Sequence, residues 1–388
     1  MLLQEFQAKR ILARYGVAVP TGEVAVTSGE ARDIAQRLGT SALAVKAQIR
    51  AGGRGKAGGV SLVRSADLAE KAASGLLGRR LVTAQSGPNG QLVKRVLVEA
   101  GMEPVRTLYL SMLIDPSVGA AVLVASPQGG VDVEDRILSG EADIERLPLG
   151  TGRQALVAAE VAAFAARLGF EGGGVEAFAR LADELRRAFT ELDASLIEIN
   201  PLAVMRDGSL MALDVKMMID DNALFRQPSL AVLHDDDDEA ELEVRAQQRQ
   251  LNYVRMDGNI GVAANGAGLG LATLDMVREA GGRAANFMDI RTTASSLDVA
   301  HGFGLLLDNP NVRALLINVH GGGMQPCDAI VDGLGIAMRR TGRSLPTAVR
   351  LAGTNAAFAR SRFQNFGCRV IESADMWTAA KQAVRAAG

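Results

Sequence analysis

Aromatic residues are scarce in this chain, at 4% of 388 residues, and Trp377 is the single tryptophan. Proteins that stack nucleobases along a strand need more aromatic surface than that. Neither sign of charge dominates: 42 Lys and Arg stand against 44 Asp and Glu, a net charge of −2. That balance argues against nucleic acid or an anionic membrane as the main partner. Two cysteines, Cys327 and Cys368, make no disulfide framework and point to a reducing cytoplasm. No apolar run approaches the ~18 residues that span a bilayer. The segment from Met1 to Arg10 carries Glu5 and Lys9 where a signal peptide would have an apolar core. With 48% hydrophobic and 22% charged residues the composition is that of a globular protein. Its length calls for two or three domains. Glycine is abundant at 43 residues, in clusters that mark turns where backbone comes close to something.

Residues 3–15 read as a helix with Phe6, Ile11, Leu12 and Tyr15 on one apolar side, closed by Gly16. Strand-like runs follow at 43–48, 95–99, 108–114 and 121–126, then helical stretches at 154–168 and 177–192. This half reads as an α+β nucleotide-binding architecture with antiparallel elements. The acidic run from His234 to Glu239 reads as a solvated linker, which places a boundary between 1–240 and 241–388. Beyond it, apolar strands at 259–264, 285–290, 312–319, 346–351 and 368–372 each precede a helical stretch, which predicts a parallel, doubly wound sheet. Ligands of such sheets bind beyond the carboxyl ends of the strands. Those ends carry Asn265 to Gly268, Arg291 to Ala294, His320 to Gly323 and Gly353 to Asn355.

The most informative segments are Glu198 to Leu202 and Leu213 to Lys216, which read as two strands joined at Arg206-Asp207-Gly208. Residues two apart in a strand share a face, so Glu198 and Asn200 point one way. A three-residue loop with Gly208 left-handed sets Asn200 opposite Asp214 and Glu198 opposite Lys216. A carboxylate and an amide oxygen on one rigid face suit Mg²⁺ beside nucleotide phosphates, although a plain solvent-facing hairpin would read the same. Lys46 sits in an apolar strand just before a glycine-rich loop, where it can reach phosphates while Gly53, Arg54 and Gly55 close over them. The plainer alternative is an exposed loop with Lys46 snorkelling to water. Glu99 can accept from an adenine amine or a ribose hydroxyl, or can simply face solvent. Asn265 to Gly268 follows a strand and opens a helix, as an anion-binding turn does. His320, before three glycines, reads as a turn residue more readily than as a phosphoryl carrier or base. His301 reads as a surface residue, and Cys327 and Cys368 as buried thiols.

Together these segments resemble the β subunit of ADP-forming succinyl-CoA ligase, over almost the whole chain. The resemblance runs from Gln4 to Lys9 through Val45 to Gln48, Ala51 to Gly59, Gly78 to Thr83, Glu198 to Leu202, Asp221 to Arg226, Asp257 to Gly261 and Asn265 to Gly268. It implies an N-terminal ATP-grasp domain and a flavodoxin-like CoA-ligase domain. It also implies an α subunit that binds CoA and carries a phosphohistidine, and a small dicarboxylate as substrate. Carried over by position, Lys46, Gly53, Arg54, Gly55, Glu99 and Met102 would contact ATP. Asn200 and Asp214 would hold Mg²⁺, and Glu198 would orient the carrier histidine. Asn265 would contact the acid, and Gly321, Gly322 and Gly323 would lie at the helix start that steadies the acyl phosphate. The lean to ATP over GTP rests on Val17 to Pro20.

The chain departs from the family's pattern at two loops and one nucleotide position. Ile290-Arg291-Thr292-Thr293 replaces a glycine turn, and His320 to Asp328 is one residue longer and lacks an arginine. Thr107 stands where many relatives carry a glutamate. Three readings follow: a succinate enzyme with tolerated loop changes, a malate–CoA ligase β subunit in which Arg291 meets the altered carboxylate, or a diverged regulatory subunit that binds nucleotide with weak turnover.

Overall fold

The structure is a computed structural model. It describes the chain except residues 87–89, 131, 134–135, 137–138, 141–142, 151–153, 234–244, 247–248, 250, 323 and 364–368. The acidic run and the expected boundary at 240/241 lie outside the described residues, as do Gly323 and Cys368. The chain divides into two compact units, Met1–Asp238 and Glu239–Gly388.

The first unit holds two antiparallel layers and a short ribbon of β4 (Arg80–Leu81) with β5 (Gln91–Leu92). One is a four-stranded sheet in the order β1 (Gly22–Ala25), β6 (Val96–Ala100), β2 (Leu43–Ala47), β3 (Val60–Val63). Helices α2 (Ser28–Leu38) and α3 (Ala66–Leu76) pack on it through Ala31, Ile34, Ala69 and Ala73. Both helices start where the sequence offers a hydroxyl: Thr27 accepts from the Glu30 N–H and Ser65 from the Leu68 N–H. The other sheet has the order β11 (Leu210–Ala212), β10 (Ala194–Val204), β7 (Arg106–Asp115), β8 (Ala120–Ser126), β9 (Glu145–Pro148), with β12 (Val215–Ile219) also paired to β10. Helices α4 (Ala158–Arg167) and α5 (Gly173–Glu191) cover it with Phe164, Phe178, Leu181 and Leu185.

Helix α1 (Glu5–Arg14) adds Ala8, Ile11 and Leu12 to the same core. Its Glu5 and Lys9, one turn apart, leave that core and meet strands β2 and β6. Strands β2 and β6 are buried at every position. The lysine and glutamate they carry, Lys46 and Glu99, are therefore interior charges and need interior partners.

In the second unit, β13 (Asn252–Arg255), β15 (Asn286–Asp289), β14 (Ile260–Ala264), β16 (Ala314–Gly321), β17 (Thr347–Gly353) and β18 (Val370–Glu372) lie side by side in that order. All neighbours from β15 to β18 are parallel, as the βα repeat predicts. The edge strand β13 runs antiparallel to β15 and was not foreseen, because Asn-Tyr-Val-Arg carries too little apolar pattern to mark a strand. Helices α7 (Ser296–Asp308), α8 (Cys327–Thr341) and α9 (Ala356–Phe363) share one apolar cluster of the sheet. Helices α6 (Ala267–Glu279) and α10 (Met376–Ala387) share another, the doubly wound arrangement. Among the described residues no helix is long and apolar enough to cross a membrane.

Candidate active site

The sequence-predicted residues fall into two groups, one per unit. In the first unit a cleft of about 580 Å³ is lined by Lys46, Gly53, Arg54, Gly55, Glu198, Asn200 and Asp214. Glu99 and Met102 are not on its wall.

The loop at Gly208 has the expected form. Gly208 is left-handed at φ +81°, and the Met205 N–H bonds the Ser209 carbonyl across it. Glu198 pairs with Lys216, and the Asn200 N–H donates to the Asp214 carbonyl at 3.1 Å, so the register is the predicted one. Ile197 and Ile199 face the core, which leaves Glu198 and Asn200 on the cleft side. The second segment is not one strand, however. The chain bends at Leu213 and Asp214 between β11 and β12. The bend lets the Leu213 carbonyl accept from two ammonium groups, Lys9 at 2.7 Å and Lys46 at 2.6 Å.

Neither plain alternative for Lys46 and Glu99 holds: Lys46 is 6% exposed and Glu99 2%. Lys46 Nζ lies 3.0 Å from Glu5 Oε1 and 2.6 Å from Glu99 Oε1. Lys9 Nζ lies 2.9 Å from Glu5 Oε1 and 2.6 Å from Glu99 Oε2. With the Leu213 carbonyl, each ammonium has three acceptors for its three protons. Arg54 reaches Glu5 Oε2 through Nη1 at 2.8 Å and Asp214 Oδ1 through Nη2 at 2.6 Å. Three cations, Lys9, Lys46 and Arg54, thus balance three carboxylates, Glu5, Glu99 and Asp214. Burial alone would push the Glu5 carboxyl up, but Lys46, Lys9 and Arg54 outweigh it and hold that carboxyl well below the usual range. Burial alone would pull Lys46 down, but Glu5, Glu99 and Asp214 outweigh it and hold the ammonium above the ordinary lysine range.

The two other polar groups on the β10 wall are also tied. Asn200 clasps one residue: its Oδ1 accepts from the Gly130 N–H at 2.8 Å and its Nδ2 donates to the Gly130 carbonyl at 3.1 Å. The Tyr109 hydroxyl donates to Glu198 Oε2 at 3.2 Å, and Lys216 Nζ donates to Gln85 Oε1 at 2.8 Å. Sequence reasoning assigned no role to Glu5, Lys9 or Tyr109. The available signal was the acid–base pair one turn apart on α1, set beside the apolar Ala8 and Leu12.

Asn200 and Asp214 offer hard oxygen donors and nothing else, a set that suits Mg²⁺. Among the described residues no group of three His, Cys, Asp or Glu is placed to hold a metal. A cation here would take its remaining ligands from phosphate and water, as Mg²⁺ at nucleotides does.

In the second unit Asn265 follows β14 directly and leads into α6 as foreseen, with Gly266 at φ +108° as the helix N-cap. Its side chain clasps the next strand: Oδ1 accepts from the His320 N–H at 2.8 Å and Nδ2 donates to the His320 carbonyl at 2.8 Å. His320 is therefore not a turn residue but part of β16, with an exposed ring. Gly321 is the last residue of that strand, and helix α8 begins only at Cys327. The expectation that Gly321 and Gly322 lie at the helix start is thus corrected: Met324, Gln325 and Pro326 intervene. A Cβ on Gly321 would come within 2.7 Å of both Cys327 Sγ and the Thr354 carbonyl. His301 is half-buried, not a surface residue, and its Nε2 lies 3.0 Å from the Arg245 carbonyl. Cys327 is buried as expected. Arg291 is exposed and donates to Asn252 Oδ1 at 3.2 Å.

Residues 2–204 match the family model of the ATP-grasp domain, and residues 263–387 match that of the CoA-ligase. The chain is 45% identical to the succinate–CoA ligase [ADP-forming] subunit beta of Methylobacillus flagellatus, over all of this chain and 99% of the relative. It is 44% identical to the protein of the same name from Anaeromyxobacter dehalogenans, over the same shares of both chains. Among solved structures, ATP citrate lyase from Methanothrix soehngenii superimposes with a TM-score of 0.76 over 99% of each chain. At 17% identity that likeness speaks for the fold alone. The fold is an ATP-grasp domain followed by a CoA-ligase domain, the architecture of an acid–thiol ligase, and an ATP-grasp domain implies that ATP is bound.

Proposed function

Because the chain belongs to the succinate–CoA ligase (ADP-forming) β-subunit family, we propose that it is the β subunit of an enzyme that converts succinate, CoA and ATP to succinyl-CoA, ADP and phosphate. The observation that carries this reading is the first-unit cleft, where Lys46, Arg54, Asn200 and Asp214 share one wall. Phosphoryl transfer asks for positioning and charge neutralisation more than for covalent work by the protein. Lys46 and Arg54 supply fixed positive charge to the phosphates. Gly53, at φ +75°, and Gly55 allow the backbone to lie close against them. Asn200 and Asp214 would hold Mg²⁺, which neutralises phosphate charge when bound. Glu99 acts at one remove, since both its oxygens are engaged by Lys46 and Lys9. Glu198, braced by Tyr109, is the carboxylate that would orient a carrier histidine of the α subunit.

In the second unit Asn265, Gly321, Gly322 and Gly323 are the proposed acid-binding group. The α subunit, which would bring the phosphohistidine and CoA, is the expected partner. The low cysteine content supports a cytoplasmic setting. The relatives are named for succinate, which supports succinate as the acid.

The test is acid-dependent ADP release by the chain co-purified with its α subunit, given ATP, Mg²⁺, CoA and succinate, malate or citrate in turn. Turnover with succinate is the expected result. Turnover with malate alone would reassign the substrate. ATP binding without turnover on any acid would leave a regulatory subunit.

A further inference from the structure

The cleft's two cations do not have equivalent partners. Lys46 is held by Glu5 and Glu99, whose side chains are 1% and 3% exposed. Arg54 bridges two carboxylates of the cleft wall, Glu5, whose side chain is 1% exposed, and Asp214, whose side chain is 31% exposed. A ligand entering the cleft therefore meets Asp214 before it meets Glu5. Glu5 is also the one carboxylate that touches both cations: Oε1 faces Lys46 and Lys9, Oε2 faces Arg54. It is set by the first turn of α1, where a negative charge suits the helix dipole.

We propose that Glu5 is the positioning residue of the nucleotide site, the fixed anion that keeps Arg54 and Lys46 aimed at the phosphates when Asp214 exchanges Arg54 for a divalent cation. The proposal rests on the nucleotide reading of the cleft. It assigns Lys9 the counter-charge: Lys9 shares Glu5 Oε1 with Lys46 and takes the Glu99 oxygen that Lys46 does not use. It separates the roles of the carboxylates, with Asp214 exchanging partners and Glu5 and Glu99 staying in place.

The test compares affinities for ATP–Mg²⁺ and for AMP in the αβ complex, by competition with a fluorescent adenine nucleotide. AMP reports the adenosine part of the site, and the ratio of the two constants reports the polyphosphate part. The variants are Glu5→Gln, Glu5→Asp, and the charge-balanced pair Glu5→Gln with Lys9→Met. A simple field effect predicts that removing a negative charge tightens ATP binding. A positioning role predicts the opposite: ATP–Mg²⁺ weakens about tenfold or more while AMP stays within about twofold, the size expected for losing a charge-assisted contact. Glu5→Asp recovers part of the loss. The balanced pair keeps the cleft neutral, so it guards against a single variant that fails to fold, and it shows the same selective loss. The proposal is overturned if folded Glu5→Gln or the balanced pair keeps the wild-type ratio, or binds ATP–Mg²⁺ more tightly. A wild-type complex that does not prefer ATP–Mg²⁺ over AMP would instead sink the nucleotide reading itself.

Discussion

Three asparagines in this fold do the same job, each turning a side-chain amide into a stand-in for a strand's peptide group. Asn200 clasps Gly130, Asn265 clasps His320, and Asn286 clasps Val262 with bonds of 2.9 and 2.8 Å. Asn286 is the most demanding, because it is fully buried and β14 pairs with β15 only at Ala264 and Asp289. Asn286→Ala strips the Val262 N–H and carbonyl of their partner inside the sheet. Each orphaned buried group costs about 1–3 kcal/mol, so a loss of roughly 2–6 kcal/mol is expected. Urea denaturation of the second unit would show it, and a change below about 1 kcal/mol would mean that the sheet closes the gap by itself. The sequence put Asn200 on the face of a hairpin strand and Asn265 at the end of a strand, and gave Asn286 no role. It did not show whether they faced a ligand or a neighbouring strand, because both uses need the same donor and acceptor.

The elements of the second half were largely readable. The βα alternation of the second half is carried by runs of Val, Ile, Leu and Ala that leave no other packing. The Gly208 loop was set by a local preference for a left-handed glycine. What escaped was α2, α3, β1, β3 and β9 in the first unit, β13 in the second, too polar to announce itself, and the bend at Leu213 and Asp214 that turns a carbonyl toward Lys9 and Lys46. The ends of β16 and β17 meet with little tolerance. Gly353 has φ +87°, and a Cβ there would lie 2.1 Å from the Gly321 carbonyl. Gly353→Ala therefore combines backbone strain of about 1–3 kcal/mol with a clash that must move one strand end. Its expected outcome is a lower melting temperature for the second unit and lost acyl-CoA formation, with ATP–Mg²⁺ affinity unchanged. Equal loss of ATP affinity would show that the two units are not energetically separate.

For the molecule as a whole, the balanced charge cluster dictates how stability follows pH. The Glu5 carboxyl titrates below its unfolded value of about 4.3, so its contribution is complete above that pH and is lost as pH falls through the lower folded value. Lys46 has the opposite sign: its contribution is complete below about 10.4 and is lost as pH rises through its higher folded value. A buried ion cluster adds little stability over an apolar core, but removing one member leaves an unbalanced charge, at about 3–5 kcal/mol. Glu5→Gln is thus expected to lower stability at neutral pH and to flatten the fall in stability below about pH 4, in urea titrations across pH. An acid limb identical to wild type would place the acid sensitivity elsewhere. Only the acid–base pair on α1 hinted at this cluster; α1, β2, the loop carrying Arg54, β6 and the bend between β11 and β12 bring its members together from distant parts of the chain.

The Asn265 clasp also bears on chemical ageing. An asparagine followed by glycine is the dipeptide most prone to deamidation, because the unshielded glycine nitrogen attacks the side-chain amide to form a succinimide. Here both reactants are engaged: the Asn265 amide is held at both ends by His320, and the Gly266 N–H donates to Asp289 Oδ1 at 2.7 Å. While the second unit is folded, Asn265 is shielded from its own neighbour. Each unfolding event exposes it to a covalent change that refolding does not reverse, so the survival of an intact Asn265 is tied to how seldom this one sheet opens.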